Sequence, residues 1–226
     1  DNPYISAHYK ESLSGLDVRS RDRLLYGRWD YDEDPSALMT YDKILDIFSP
    51  RKTDSADKYI TADIARFGDD STVICLWYGL SCEMIKVIPR CGVDEVAAII
   101  RDMCALYKVN LSCVVCDEDG VGGGVVDTLR CKGFVNNSSP VAVRGKQQNF
   151  SNLKSQCYFL WADYVNRSMV HVNVDDIRLK ERIIEEMQEV RAADITVDKK
   201  LSVVSKREIK ERLGRSPDVA DALMMR

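Results

Sequence analysis

The sequence predicts an α/β protein in which a mixed β-sheet carries helices on both faces. Two observations support this class: short runs rich in β-branched residues come first, and helical patterns then alternate with further short apolar runs. The chain has 226 residues, 45% of them hydrophobic and 30% charged, which is enough to bury a core without disulfides. No run of about 18 apolar residues is present, so no membrane-spanning segment is predicted.

The first 57 residues differ in pattern from the rest of the chain. They mix polar and aromatic residues and end in a polar stretch over 49–57 that is typical of a linker. Regular strand and helix patterns begin at Lys58. We therefore expect a separate segment over 1–57, with one or two short helices and a linker at its end, and a folded domain over 58–226. Because the chain does not begin with Met, we also expect it to be part of a longer protein.

The folded domain is predicted to open with three strands in a meander. Residues 59–64 and 71–78 flank a polar turn and should form a hairpin, and residues 83–88 make the third strand. Apolar residues at helical spacing predict a helix over 93–107. A continuous apolar run over 111–116 predicts a strand buried on both faces.

Helices and strands alternate in the second half. The predicted elements are, in order, a helix from near Val125, a strand over 141–143, helices over 153–165 and 177–190, a hairpin over 195–204, and a helical stretch over 209–225 that residues 214–217 interrupt. This alternation after a meander is what indicates a mixed sheet with helices on both sides.

The eight cysteines form neither a disulfide framework nor a zinc site. Cys75, Cys104, Cys113 and Cys116 lie inside apolar runs, which suits buried free thiols. The Cys113-x-x-Cys116 pair lacks a second pair, and residues three apart in a strand face opposite sides. Zinc or redox chemistry is therefore disfavoured.

Charge is unevenly distributed along a chain whose formal net charge is −4. That balance argues against nonspecific coating of nucleic acid but allows a local grip on phosphates. Positive charge gathers at Lys199, Lys200, Lys206, Arg207, Lys210, Arg212 and Arg215. From charge alone, a solvated helix face is the favoured interpretation of this cluster.

Acidic residues stand at three separated places where structural elements meet. Asp63 lies in an apolar strand, where a charge is costly to bury unless paired or bound to metal, although an ordinary strand-end role explains it equally well. Asp117 ends a buried strand, where chemistry gathers in open α/β sheets. Asp218 and Asp221 begin a late helix, with Ser216 as its predicted cap.

A glycine-rich loop over 120–124 follows Asp117. It matches neither of the two common phosphate-binding loop patterns, so a nucleotide site is disfavoured. The alternative is a turn that lets the backbone approach another group closely.

Carboxylates converging from three places would repel one another unless a cation lay between them. Mg²⁺ and Mn²⁺ prefer such oxygen ligands. The chain has only two histidines, so a histidine base or a zinc hydrolase is poorly supported. A two-metal phosphoryl-transfer site needs no histidine.

Three segments carry a resemblance to a known family: residues 61–73 (TADIARFGDDSTV), 115–122 (VCDEDGVG) and 214–223 (GRSPDVADAL). Together they resemble the C-terminal nuclease domain of the large terminase subunit of tailed bacteriophages. The resemblance implies an RNase H-like (resolvase-type) mixed sheet flanked by helices over residues 58–226. It also makes residues 1 to about 50 the tail of the preceding ATPase domain and a linker.

The family pattern implies a role for each acid. Asp63 resembles the carboxylate that bridges two metal ions, Asp117 an acid on one ion, and Asp218 the acid that completes the second site. Asp221 is either a ligand, a group beside the ligands, or a helix-face residue. Asp70 either supports the site or holds the hairpin.

Four basic residues are expected to face DNA phosphates: Arg144, Lys146, Lys206 and Lys210. The resemblance implies an endonuclease that uses two Mg²⁺ or Mn²⁺ ions to cut concatemeric double-stranded DNA during viral genome packaging. It further implies that the protein is located in the cytoplasm of an infected bacterium and that its partners are the portal protein and the small terminase subunit. This chain has no Walker motif, so ATP would act through a domain upstream.

Two other interpretations stay open. One is a non-catalytic module that only holds DNA or a capsid component. It is compatible with the same RNase H-like fold, because fold does not fix function. A related resolvase or integrase is less consistent with the third motif and with residues 1–50.

Overall fold

A computed structural model of the chain describes residues 34–50, 55–65, 70–193 and 199–226. The chain divides into two compact units between Pro35 and Ser36, and every element below belongs to the second unit, Ser36–Arg226. Most of the predicted segment over 1–57 lies outside the described residues, so its boundary at residue 57 stays a prediction. In the described ranges no helix has the length and apolarity needed to cross a membrane.

One six-stranded sheet forms the centre of this unit. Its strands are β1 (Lys58–Asp63), β2 (Thr72–Tyr78), β3 (Ser81–Ile88), β4 (Val114–Asp117), β5 (Lys132–Phe134) and β6 (His171–Val172). They are arranged in the order β5-β4-β1-β2-β3-β6. The β1–β2 and β2–β3 pairs are antiparallel, whereas β1–β4, β4–β5 and β3–β6 are parallel. The predicted mixed sheet is confirmed.

In the part of the chain that the structure describes, seven helices cover the two faces of the sheet. They are α1 (Tyr41–Asp46), α2 (Val93–Tyr107), α3 (Gly122–Leu129), α4 (Leu153–Asn166), α5 (Ile177–Glu189), α6 (Lys206–Leu213) and α7 (Asp218–Met224), and a 3₁₀ turn (Leu111–Cys113) precedes β4. Buried side chains of α2 and α3 form one core with one face of the sheet. Those of α1, α4, α5, α6 and α7 form the second core on the other face.

The pleat of β1 sends alternate residues into the two cores. Ile60 and Ala62 belong to the core beneath α2 and α3. Thr61 lies on the opposite face, where its hydroxyl donates a 2.7 Å hydrogen bond to the carbonyl of Ala222 in α7. Asp63 follows Thr61 by two residues and therefore ends the strand on the face that α7 covers.

Several boundaries differ from the sequence prediction. The strand predicted over 141–143 is absent from the described structure there: the backbone of Val141 pairs with the side chain of Gln156, and Val143 pairs with Lys146 across a tight turn. The short strands β5 and β6 were not predicted, and α3 begins at Gly122 instead of near Val125. For the hairpin predicted over 195–204, residues 194–198 lie outside the described chain, and Ala192 pairs with Val203.

All eight cysteines are free thiols. Cys75, Cys104 and Cys116 are buried as predicted, whereas Cys113 is half-buried. The Sγ of Cys116 lies 3.7 Å from the Sγ of Cys131, so its neighbouring sulfur is not that of Cys113.

Candidate active site

Asp63 and Asp117 lie side by side at the ends of two parallel strands. In the β1–β4 register Ala62 pairs with Cys116, so the next position of each strand carries an aspartate. Neighbouring strands run about 4.8 Å apart, and the pleat turns these two side chains away from the α2–α3 core. Strand pairing alone therefore brings the two carboxylates together on the face that α7 covers.

Helix α7 supplies the third and fourth carboxylates. Asp218 is its first residue, and Asp221 lies one turn later on the same side of the helix. The backbone N–H of Ser71 donates to Oδ2 of Asp218 at 2.9 Å, and Arg182 of α5 reaches the same oxygen at 3.3 Å. Asp218 is 2% exposed and Asp221 is 4% exposed, so α7 holds both acids inside the protein.

A buried glutamate of α5 fixes the start of α7. One carboxylate oxygen of Glu186 accepts the backbone N–H groups of Val219 and Ala220 at 2.8 and 2.9 Å. These are the unpaired donors of a helix N-terminus, and an anion there also complements the helix dipole. The predicted Ser216 cap is wrong, because the Ser216 hydroxyl instead donates to Asp70 at 2.8 Å.

Lys206, the first residue of α6, sends its ammonium group among the carboxylates. Its Nζ lies 3.3 Å from Asp221, 3.8 Å from Asp63 and 3.9 Å from Asp218. Burial lowers the pKa of Lys206, but the attraction of these carboxylates outweighs it, so the net pKa is raised and the ammonium stays charged. The side chain is 41% exposed, which leaves it a path to solvent.

Burial is the main cause that raises the pKa of three of the acids. It raises the pKa of Asp63 well above the ordinary value, against the opposing effect of Lys206 and with support from Asp221, Asp117 and Asp218. Burial likewise raises the pKa of Asp117 and of Asp218. These three acids therefore hold their protons more strongly than exposed ones do, and a cation bound among them would favour their ionised forms.

Asp221 is electrostatically different from the other three acids. Burial raises its pKa, but Lys154 and then Lys206 outweigh burial, so the net pKa is lowered. Its Oδ1 accepts from Lys154 at 2.7 Å and from the hydroxyl of Tyr158 at 2.5 Å, and its Oδ2 faces Lys206. Asp221 is thus an ionised counter-ion for the two lysines.

Asp117 is held from the side of β5. The side-chain amide of Asn136 donates to Oδ1 of Asp117 at 3.2 Å and to Oδ2 of Asp119 at 2.7 Å. The backbone N–H of Asp119 also donates to Asp117 at 3.2 Å. These bonds are made to Oδ1 of Asp117, and the side chain of Asp63 is a further hydrogen-bonding neighbour of this carboxylate.

The four basic residues expected at DNA phosphates occupy different places. Lys206 lies within the acid cluster, and Lys210 donates to Asp70 at 2.9 Å. Arg144 and Lys146 lie on an exposed turn between β5 and α4. Other basic residues of the C-terminal cluster form ion pairs with exposed acids: Arg207 pairs with Glu211 at 2.9 Å, and Arg212 pairs with Glu208 at 3.1 Å.

The donor chemistry of the cluster fits Mg²⁺ or Mn²⁺. Asp63, Asp117 and Asp218 offer hard carboxylate oxygens, and neither of these ions requires sulfur or imidazole ligands. Among the described residues no three acidic, cysteine or histidine side chains are already spaced to enclose an ion. The ammonium of Lys206 instead lies between the carboxylates.

Comparison with solved structures identifies the fold. The nuclease domain of the large terminase subunit gp2 of bacterial virus Sf6 matches with a TM-score of 0.70 and 18% identity, over 84% of this chain and 97% of that domain. The large terminase nuclease of thermophilic phage G20c matches with a TM-score of 0.54 and 14% identity, over 84% and 96%. This chain therefore has the RNase H-like fold of terminase nuclease domains, and the fold that the sequence resemblance implied is confirmed.

Metal ions accompany both of these relatives in further structures. A lysine-to-alanine mutant of the Sf6 domain has been solved with manganese (TM-score 0.69, 18% identity, 84% of this chain and 97% of that domain). The G20c nuclease has been solved with magnesium (TM-score 0.53, 15% identity, 84% and 96%). No protein-family model and no curated protein matches this chain.

Proposed function

We propose that this chain is the nuclease domain of a phage DNA-packaging terminase and that it cuts double-stranded DNA with the help of divalent metal ions. The observation that carries the proposal is the convergence of Asp63, Asp117 and Asp218 on one point of an RNase H-like fold. Two of these acids come from adjacent strand ends and the third from the start of α7. The metal-bound structures of the Sf6 and G20c domains support Mn²⁺ or Mg²⁺ as the ions.

Each acid has a role that follows from its surroundings. Asp63 interacts electrostatically with all three neighbouring acids and is the group best placed to share two ions, with Asp117 beside it at the end of β4 and Asp218 at the start of α7. The ions, when bound, would supply Lewis-acid activation of water and neutralise charge at the phosphate. Hydrolysis breaks the bond between phosphorus and the 3′ oxygen and leaves a 3′ hydroxyl and a 5′ phosphate.

Asp221 takes no metal in this proposal, because Lys154, Tyr158 and Lys206 occupy both of its oxygens. It instead orients the two lysines toward the cluster. Lys206 balances the acids in the ion-free protein and lies within reach of a phosphate held there. Lys210 is proposed as a weaker phosphate contact, since it is already paired with Asp70.

The proposal extends to the biological setting of terminases. The full protein would carry an ATPase domain upstream, act in the cytoplasm of the infected bacterium, and meet the portal protein and the small terminase subunit. Residues 1–57 would then hold the tail of the ATPase domain and the linker to the nuclease domain over residues 58–226, with α1 of this segment packed in the core of the second unit.

Nicking of supercoiled plasmid tests the activity. The protein is incubated with Mn²⁺, Mg²⁺ or EDTA, beside Asp63→Asn and a control, Asp102→Asn, which removes an exposed aspartate of α2 on the opposite face of the sheet. We expect metal-dependent cutting that Asp63→Asn lowers about 100-fold or more and that the control keeps, because metal catalysis contributes several kcal/mol. Normal cutting by Asp63→Asn would overturn the assignment. Absence of both cutting and calorimetric metal binding would favour the docking module.

A further inference from the structure

A long stretch of the chain beside the acid cluster contains no acidic residue. Between Asp127 and Asp163 there is no Asp or Glu, although a chain with 36 acids among 226 residues would place about six there on average. The same stretch carries five basic residues: Arg130, Lys132, Arg144, Lys146 and Lys154. Its other polar residues are mostly Asn, Gln and Ser, which donate to phosphates and base edges.

Nearly half of this stretch forms an arm, residues 137–152, between β5 and α4. Both ends of the arm are fixed at the acid cluster. Asn136 at one end donates to Asp117 at 3.2 Å, and Lys154 at the other end donates to Asp221 at 2.7 Å. The two ends also bond to each other, because the N–H of Lys154 donates to the carbonyl of Asn136 at 3.1 Å.

Contacts along its length hold the arm in one conformation. The buried amide of Gln156 pairs with both backbone groups of Val141, at 2.7 and 2.9 Å, as a neighbouring strand would. Leu201 pairs with Asn149 and Ser151 at 2.9 and 2.8 Å. A segment held in this way loses little conformational entropy when it binds a partner.

The tip of the arm is an exposed basic turn. Val143 and Lys146 exchange two backbone hydrogen bonds of 3.0 Å, and the turn between them puts Arg144 and Gly145 at φ of 51° and 76°. Every residue from 141 to 147 is exposed. The turn therefore presents Arg144 and Lys146 to solvent on a rigid support that begins and ends at the carboxylates.

We infer that the arm is a binding surface for duplex DNA that places the substrate across the acid cluster, an inference that rests on the proposed nuclease function. Arg144 and Lys146 contact backbone phosphates on the duplex beside the cutting point. The absence of acidic residues in the arm removes the repulsion that the rest of this acidic chain would exert on DNA. A phosphate that reaches the carboxylates lies next to both ends of the arm.

The test is the affinity for a duplex of about 25 base pairs in EDTA, measured by fluorescence anisotropy over a series of salt concentrations. The variant is Arg144→Gln/Lys146→Gln. The control, Arg101→Gln/Lys108→Gln, removes the same charge from the end of α2, which contacts Lys58 at the opposite end of β1 from Asp63. The control is also matched in backbone, because Lys108 has φ of 56° and Arg144 has φ of 51°.

We expect the arm variant to bind roughly 10-fold or more weakly near 0.1 M salt and its salt slope to fall by about 2, since each lost phosphate contact lowers it by about 1. The control should bind within about twofold of the wild type. The inference would be overturned by an equal loss of affinity in both variants, by no loss in the arm variant, or by wild-type binding that does not depend on salt. Tighter binding of one strand of this duplex alone than of the duplex itself would overturn it as well.

The two proposals fail separately in this design. No cutting takes place in EDTA, so this experiment measures DNA binding alone. If the arm variant binds the duplex as tightly as the wild type, the arm is not the DNA-binding surface, and the nuclease assignment still depends on the plasmid experiment. Normal cutting by Asp63→Asn overturns the nuclease assignment, and the weakened binding of the arm variant would then describe a DNA-docking module.

Discussion

Gly122 lies so close to Asp117 that a Cβ atom at position 122 would fall 1.8 Å from the backbone carbonyl oxygen of Asp117. Helix α3 therefore begins directly against the end of β4. The sequence analysis interpreted the glycine-rich loop as a place of close backbone approach, and the group approached is the chain's own Asp117. This glycine sets the position of a carboxylate that belongs to the candidate active site.

Replacing Gly122 with alanine should displace the end of β4. We expect Gly122→Ala to lower the free energy of unfolding by about 1–3 kcal/mol, as overpacking does, and to reduce plasmid cutting by about 10-fold or more. Urea unfolding and nicking assays measure the two effects. The control is Gly123→Ala, whose Cβ would lie 3.4 Å from the Glu118 carbonyl and whose helix position favours alanine by up to about 1 kcal/mol. Similar behaviour of the two variants would contradict the explanation.

The buried charge of Asp63 should make the ion-free protein sensitive to pH. Because burial raises its pKa in the folded state, the folded protein holds the proton at pH values where the unfolded chain has released it. Stability from this group is thus lost as pH rises from the ordinary value of 3.8 toward the folded value. Asp221 acts in the opposite direction, since its pKa is lowered.

Comparison of the wild type with Asp63→Asn isolates this effect. In EDTA, the melting temperature of the variant minus that of the wild type should increase between pH 4 and pH 7. A change of about 1 kcal/mol corresponds to roughly 2–4 °C for a chain of this size. A difference that stays constant over this range would show that Asp63 has an ordinary pKa in the folded protein.

Glu186 should be among the residues on which the stability of this unit depends most. Its carboxylate is fully buried and pairs with α7 through Val219 and Ala220 and with Arg182 at 2.7 Å. Glu186→Ala leaves the two backbone N–H groups unpaired and Asp218 as the remaining partner of Arg182, so we expect a loss of about 3–5 kcal/mol in urea unfolding.

The neighbouring Glu185 provides the control for that experiment. It pairs with Arg215 at 2.7 Å, but its side chain is 46% exposed. An exposed ion pair contributes about 1 kcal/mol or less, so Glu185→Ala should change stability little. Comparable losses at the two positions would contradict the role given to Glu186.

Lys206 should compete with divalent ions for the carboxylates. Removing its ammonium group leaves the acid cluster more negative, so Lys206→Met is expected to bind Mn²⁺ about 10-fold more tightly in calorimetry. The magnitude follows because the interaction between two unit charges about 4 Å apart is a few kcal/mol at most at an effective dielectric of about 20. Arg207→Met removes a charge from the same helix, where it faces Glu211 on the exposed side, and should leave metal affinity unchanged. Weaker binding by Lys206→Met would mean that the lysine supports the ions instead of opposing them.

The sequence predicted the acids better than the residues that hold them. Asp63 and Asp117 were predictable because each ends an apolar run, and parallel pairing of two such strands aligns their last residues. Lys154 and Tyr158 were not, because their contact with Asp221 spans more than 60 positions and depends on how α4 packs. Glu186 did leave a signal: it is an acid beside the buried Ile183, Ile184 and Met187 of an amphipathic helix.

Tertiary contacts also explain the errors in secondary structure. Residues 141–143 have the composition of a strand, but their pairing partner is the side chain of Gln156, so no ladder forms. Ser216 was predicted to cap α7, yet its hydroxyl donates a hydrogen bond to Asp70. The carboxylate of Glu186 instead accepts the backbone N–H groups at the start of α7. Local pattern indicates which residues can pair, whereas packing decides which of the available partners they meet.

The bond between Thr61 and Ala222 joins positions 161 apart in the chain, and that between Ser71 and Asp218 joins positions 147 apart. Contacts of such separation form only when most of a domain is already in place. A nascent chain in which α7 has not yet been synthesised therefore carries Asp63 and Asp117 but lacks Asp218 and Asp221. The four acids can come together only when α7 packs against β1.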